Sequence, residues 1–329
     1  MSEPTLTAVQ QLGTLPADGT VALCGLGNMG AAIASRLVRD YRVLGFDLDP
    51  ARREDARGLG VRVVDQVDEL TQASVVLLSL PTPSASLAVV KALAPRLRLG
   101  SVIIETSTVN PSDMAELAVV AKENSVVDAA ILSGVAGMSS GSSTLLTGGE
   151  FDVLERIDGV LKTMSSRVIR MGPSGSAMAA KVINNSVAHT VMVVLIEAST
   201  MAVKSGLKIE QIVDLLRDPD AGLTRPLTHR IEDRVMNAQY DGGMPTDAAR
   251  KDSTLALQLA QSIGVPLFAM QGAHTAYELA MADGLGRFDY AAIAKLWEGW
   301  TGASLLADNS TGTEQTENIK NSESGIANE

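Results

Sequence analysis

The chain has 329 residues, room for two domains of ordinary size, and its 46 % apolar and 20 % charged residues make a normal globular balance. A formal net charge of −11 argues against nucleic acid or anionic membrane as general partners, and 3 % aromatic residues leave few ring faces for stacking on bases or sugars. One cysteine, Cys24, excludes an intramolecular disulfide and fits a reducing compartment. The polar N-terminal stretch does not read as a signal peptide. No window is expected to reach transmembrane length, because the apolar run Val191 to Ile196 is short and leads into Glu197. The expectation is a cytoplasmic protein.

Residues 1–18 read as a loose extension. Short β-branched runs then alternate with helical stretches: strands over 21–27, 42–48, 61–64, 74–80, 101–107 and 125–132, with helices over 28–40, 50–57, 84–94 and 111–124. The strand runs are almost continuously apolar, the mark of parallel strands buried on both faces. This β/α alternation predicts a Rossmann-type, doubly wound parallel sheet. Strands over 143–149 and 166–172 bracket a helix over 151–164 and close a first domain spanning 19–172. The pattern then becomes all-helical over 173–306. One very long helix over 177–206 is followed by helices over 208–217, 226–237, 247–263, 266–283 and 289–298. The stretch 307–329 offers almost nothing to bury and reads as a disordered tail.

Gly25-Leu26-Gly27-Asn28-Met29-Gly30 fits G-x-G-x-x-G between a strand and a helix. There the first glycine permits a tight turn, the second a close approach to a pyrophosphate, and the third helix-on-sheet packing. Strand two ends in Phe46-Asp47-Leu48-Asp49-Pro50. A carboxylate at Asp47 is placed to bind both adenosine ribose hydroxyls and to repel a 2′-phosphate, which favours NAD over NADP. Asp49 can also cap the helix that starts at Pro50, with Asp47 merely in the turn, and the two roles are compatible. Arg52 and Arg53 complicate the choice, since an arginine there can accept a phosphate.

The run Gly172 to Asn185 leads glycines into a helix that carries Lys181 and, four residues on, Asn185. Positions i and i+4 share a helix face. A lysine flanked by Ala and Ile is partly desolvated, which draws its pKa down towards that of a working acid/base. The spacing alone leaves this reading level with that of a solvated lysine and two surface amides. Elsewhere, His189, His229 and His274 have no metal-ligand spacing. Glu197 reads as a structural hydrogen-bond acceptor in a helix bundle, and Trp297 and Trp300 as core. The apolar circumference of 182–203 requires that helix to be buried, in its own domain or against a second subunit.

Five motifs in order resemble the β-hydroxyacid dehydrogenase family, the group that holds 3-hydroxyisobutyrate dehydrogenase, tartronate semialdehyde reductase and relatives of 6-phosphogluconate dehydrogenase. They are the Gly25–Gly30 loop, Thr106-Ser107-Thr108, Asp128-Ala129 with Gly134, Gly137 and Gly141, the Gly172–Asn185 run, and Lys251-Asp252. The resemblance covers roughly residues 20–305. It implies an oxidoreductase that moves a hydride between a nicotinamide cofactor and a small 3-hydroxy acid or its semialdehyde. It further implies that Lys181 is the acid/base, that Asn185 orients it or the substrate, and that Lys251 closes the cleft. Leu80, Pro81 and Thr106 join the expected cofactor site. Ser107, Thr108, Leu132, Ser133 and Gly134 join the expected substrate site. Homodimers or higher homo-oligomers packing through the helical domain follow from the same likeness.

One departure stands out. Leu132 occupies the place of the family's serine and Ser133 that of a glycine, so the pocket is more apolar there and the substrate's carboxylate is in doubt. Imine reductases, which resemble this family in fold and have a more apolar substrate loop, are one rival, although many lack the lysine. A non-catalytic NAD-binding scaffold is another, and it too would be expected to lose the lysine.

Overall fold

The computed structural model describes residues 14–16 and 18–308. Most of the expected extension and nearly all of the expected tail lie outside the described residues. The chain divides into two compact units, one running to Val187 and one beginning at Ala188.

The first unit is built on an eight-stranded sheet in the order β3-β2-β1-β4-β5-β6-β7-β8. In chain order its elements are β1 (Thr20–Cys24), α1 (Asn28–Leu37), β2 (Arg42–Phe46), α2 (Pro50–Gly58), β3 (Arg62–Val63), β4 (Val75–Leu78), α3 (Pro83–Leu93), β5 (Val102–Glu105), α4 (Pro111–Ala121), β6 (Ser125–Ile131), α5 (Val135–Ser140), β7 (Thr144–Gly148), α6 (Phe151–Arg156), α7 (Asp158–Met164) and β8 (Arg167–Gly172). Strands β1 to β6 are parallel. Successive side chains face opposite ways. Val21 and Leu23 therefore join α1 and α7 in one core, while Ala22 and Cys24 join α3 and α4 in the other. Strand β7 departs from the expected parallel run and lies antiparallel to β6. The link between them holds little more than the short α5, which packs on α1. A right-handed return to a parallel strand needs a longer crossover.

Helix α8 (Ser176–Lys204) is 29 residues long and runs from the first unit into the second. It contains an 18-residue window of mean hydropathy 1.6, long and apolar enough to cross a membrane by length and composition alone. That corrects the expectation that no window reaches this length. The run at Val191–Ile196 is short, but Ala, Val and Met on both sides extend it. Lys181, Asn184, Asn185 and Glu197 lie within the same helix, and such groups are costly in hydrocarbon.

The second unit continues with α9 (Ile209–Arg217), α10 (Thr246–Ile263), α11 (Phe268–Ala282) and α12 (Ala294–Thr301). The helix expected over 226–237 is a π-helical turn at Pro226–Glu232 followed by a 3₁₀ turn at Val235–Asn237. Its buried apolar residues form three small clusters. Glu197 is buried and accepts from the backbone N–H of Ala269 at 2.8 Å and of Met270 at 3.3 Å, which caps α11. Trp297 and Trp300 were expected in the core. They are 46 % and 60 % exposed and pack on each other, because no described element of this chain covers that end of α12.

Candidate active site

The order of β3 to β6 reverses direction between β1 and β4, the switch point at which open α/β sheets bind ligands beyond their strand ends. A cleft of about 820 Å³ opens there. Gly25 has φ +95°, and a Cβ on it would lie 2.1 Å from the Ser79 carbonyl oxygen. A Cβ on Gly30 would lie 2.0 Å from the Gly25 carbonyl oxygen. Any side chain at either position would push β1, β4 and α1 apart. Gly27 caps α1 in an extended conformation with no side-chain cap, so first-turn N–H groups of α1 are left for a ligand. A Cβ at Gly27 would meet nothing within 4 Å except the Arg52 guanidinium, so the backbone is open to the cleft. An uncapped helix end under bare backbone is what a pyrophosphate requires.

Asp47 stands one residue beyond β2. Its Oδ2 accepts from Leu26 N at 2.7 Å and its Oδ1 from Asp49 N at 2.9 Å, so the carboxylate is fixed on the cleft wall. Asp49 caps α2 through Ala51 N. Both roles foreseen for the two aspartates are therefore compatible in space. Arg52 lines the cleft as well, with Nη1 3.4 Å from Asn28 Oδ1. Asn28, Met29, Leu80 and Pro81 line it, while Leu26 is buried and contributes its N–H to Asp47. Thr106 is buried, and its hydroxyl donates to the Leu78 carbonyl rather than into the cleft. The apolar wall formed by Ala85, Ala88, Val89 and Ala92 of α3 was not foreseen. Its i, i+3, i+4, i+7 spacing was the available signal. Burial, and then the charges of Asp47 and Glu105, push the Cys24 thiol up to about 12, which keeps it in the thiol form at neutral pH.

At the end of β5, Glu105 is fully buried, and burial raises its pKa. Its Oε1 accepts from Ser107 N at 2.8 Å, and Ser107 Oγ accepts in turn from Leu80 N at 2.8 Å. Thr108 is exposed. At the end of β6, Leu132 is 36 % exposed, and Gly134 caps α5. Ser133 Oγ is buried without a hydrogen-bond partner and lies 2.9 Å from the position a Cβ on Gly137 would take. Its hydroxyl is turned under α5.

Lys181 sits on the second turn of α8, half-buried, and its Nζ donates to the Ile131 carbonyl oxygen. Burial lowers its pKa below the usual lysine value. Asn185 lies one turn further along. Lys251 belongs to the helical unit, on α10, where its Nζ is 3.0 Å from Asp252 Oδ1. Among the described residues, no three His, Cys, Asp or Glu side chains gather into a metal-holding group.

Sheet order, glycine cradle and β2 carboxylate define a dinucleotide-binding α/β oxidoreductase fold. Residues 20–172 match the NAD binding domain of 6-phosphogluconate dehydrogenase, and residues 175–297 match the domain described as NAD-binding of NADP-dependent 3-hydroxyisobutyrate dehydrogenase. The chain is 30 % identical over 292 residues to 2-(hydroxymethyl)glutarate dehydrogenase of Eubacterium barkeri, covering 87 % of this chain and 97 % of that protein. It is 25 % identical over 290 residues to NAD-dependent L-serine dehydrogenase of Pseudomonas aeruginosa, covering 84 % and 97 %. Among solved structures it is similar to Mycobacterium tuberculosis 3-hydroxyisobutyrate dehydrogenase with L-serine, at TM-score 0.58 and 26 % identity over 85 % of this chain and 99 % of that one. An imine reductase from Pseudomonas sp. superposes at TM-score 0.78 with 19 % identity over the same shares, a likeness of fold alone. The chain belongs to the β-hydroxyacid dehydrogenase family, NAD-dependent oxidoreductases that act on CH–OH groups. Helix α8 lies within the second matched domain, which makes it a domain helix of the family.

Proposed function

We propose that this protein interconverts a small 3-hydroxy acid and its semialdehyde, prefers NAD to NADP, and uses Lys181 as general acid/base. The observation that carries this reading is the half-buried Lys181 amine seated on the Ile131 carbonyl, with its pKa drawn down by burial. A lysine that loses its proton below its ordinary value of 10.5 is a usable base. Bound NAD supplies the hydride acceptor. In oxidation the neutral Lys181 Nζ takes the hydroxyl proton, and in reduction it returns that proton to the developing alkoxide. Asn185 orients the amine or the substrate. Residues Gly25 to Gly30 with Asp47, Leu80 and Pro81 hold the cofactor, Leu26 through its N–H to Asp47, while the buried Thr106 supports the cleft from behind through Leu78, and Lys251 is assigned to the cofactor on the family resemblance. Ser107, Thr108, Leu132 and Gly134 form the substrate end, to which Ser133 contributes backbone only, its hydroxyl being turned under α5. The proposed organisation is a cofactor domain over 19–172 and a helical substrate and dimerisation domain over 173–306, working in the cytoplasm.

Lys181→Ala tests the reading. Turnover should fall by about 10²–10⁴-fold, the size of a general acid/base contribution, with NADH affinity nearly unchanged. The sign of the pH dependence follows from the lowered pKa. In wild type kcat/KM for oxidation rises with pH as the amine deprotonates, at a pH below 10.5, and the mutant lacks this limb. Near-normal turnover in the mutant removes Lys181 from the mechanism. The exposed Leu132 keeps cyclic imines in the substrate panel beside hydroxy acids and semialdehydes, each run with NAD and with NADP.

A further inference from the structure

Asp128 lies in β6 and is completely buried. A buried carboxylate is costly unless its oxygens are satisfied. Here both oxygens meet the entry to α8. Oδ1 accepts from Gly175 N at 2.8 Å, and Oδ2 accepts from Met178 N at 2.8 Å. The first N–H groups of a helix have no partner within it, and an anion there also meets the positive end of the helix dipole.

The neighbouring strand is shaped to admit this contact. Gly148 of β7 is the residue paired with Asp128. A Cβ on Gly148 would stand 2.5 Å from Asp128 Oδ1 and 2.8 Å from the Pro173 carbonyl oxygen. Three residues along the same strand, the Ile131 carbonyl accepts from Lys181 Nζ. Strand β6 therefore grips α8 twice, once by its first turn and once by the amine.

We propose that Asp128 is a positioning residue of the reaction: a buried anion that pins the first turn of α8 and so sets where Lys181 Nζ stands. This rests on the reading of Lys181 as acid/base. In Asp128→Asn one acceptor oxygen becomes an amide donor, so one of the two helix-entry N–H groups loses its acceptor and the amine shifts from its seat. A displacement of about 1 Å at a reacting group can cost up to about 10²-fold in rate. A role confined to folding would instead lower the melting temperature and leave each folded molecule as active as wild type.

The test uses the full chain as wild type, Asp128→Asn, Lys181→Ala and the double variant. Turnover is normalised to NADH sites counted by fluorescence titration. The titration of the Lys181 amine is read separately, without substrate, from the pH dependence of its modification by trinitrobenzenesulfonate followed by peptide mass spectrometry. In Asp128→Asn, kcat per site should fall about tenfold to a hundredfold, and the labelling midpoint should move up towards that of an ordinary lysine. In the Lys181→Ala background the same substitution should cost nothing further, since residues acting through one group are not additive. If Asp128→Asn does not fold, Gly148→Ala keeps the charge, forces the carboxylate off the helix and carries the same expectation. A wild-type midpoint and turnover in Asp128→Asn, beside a crippled Lys181→Ala, overturns the positioning role alone. A loss of equal size with and without Lys181 also overturns it. Near-normal turnover in Lys181→Ala overturns the acid/base reading and this inference with it.

Discussion

Asp47 and Arg52 face one cleft with opposite charges, and the balance between them decides the cofactor. Asp47 is held by two backbone N–H groups and cannot swing away from an incoming 2′-phosphate, whereas Arg52 sits over Gly27, on the pyrophosphate side. Fixed charge outweighs a flexible arm, so NAD should be favoured over NADP by about tenfold or more in kcat/KM, or about 1.4 kcal/mol. Asp47→Asn should remove most of that ratio. Equal kcat/KM for the two cofactors in wild type would mean that Arg52 accepts the phosphate. Asp47 and the three glycines were legible in the sequence because strand, turn and helix fix their neighbours within about 25 residues. The hydrogen bond of Asp128 to Gly175 spans 47 residues, so its role needs the strand pairing and the helix docking together. Ser133 stands one place after the position of the family's serine, and alternation along the chain would not place both side chains on one side. Its hydroxyl turns under α5.

Helix α11 begins on the Glu197 carboxylate of α8, which takes two of its N–H groups while 8 % exposed. Glu197→Ala leaves those donors buried with no acceptor. A loss of about 1–3 kcal/mol follows, visible as a lower urea midpoint, with NADH affinity unchanged because the cofactor cleft belongs to the other unit. Glu197→Gln keeps one acceptor oxygen and should recover part of the loss. A midpoint unchanged in the alanine variant would make the cap dispensable. Elements with a plain period were read close to their limits: the expected helix over 247–263 is Thr246–Ile263. Misreadings occur where local signals compete. The stretch 151–164 is two helices, because Ile157 leaves helical geometry to fill the core and Asp158-Gly159 starts again. The helix at 135–140 was missed because Gly, Ser and Ala there carry no apolar stripe. In 226–237 the apolar spacing is helical, but Pro226 and the pull of Arg230 and Arg234 on the buried Asp289 bend it into π and 3₁₀ turns.

Among the described residues, the helical unit leaves much apolar surface bare. On α8, Met192 and Ile196 are each 56 % exposed, and Val193, Val194 and Val203 are exposed beside them. No residue of α9 is buried. The helical unit also holds an apolar cleft of about 830 Å³, lined by Leu223, Leu227, Ile231, Met270 and Trp297 among others. Soluble monomers rarely carry a contiguous apolar patch beyond a few hundred Å². Among the described residues, the buried apolar side chains of this unit gather into only three small clusters. A second copy of the chain is the economical cover, since a two-fold contact buries the same face of both partners at once. Light scattering at micromolar concentration should therefore give at least twice the 34.4 kDa of one chain. Ile196→Glu would place a charge in the middle of that face, where an unpaired buried carboxylate costs several kcal/mol. It should shift the mass towards one chain and lower the melting temperature, with the melting temperature of wild type depending on protein concentration and that of the variant much less so. A wild-type protein that stays strictly monomeric, with Ile196→Glu melting where wild type does, would mean that α8 is covered in some other way.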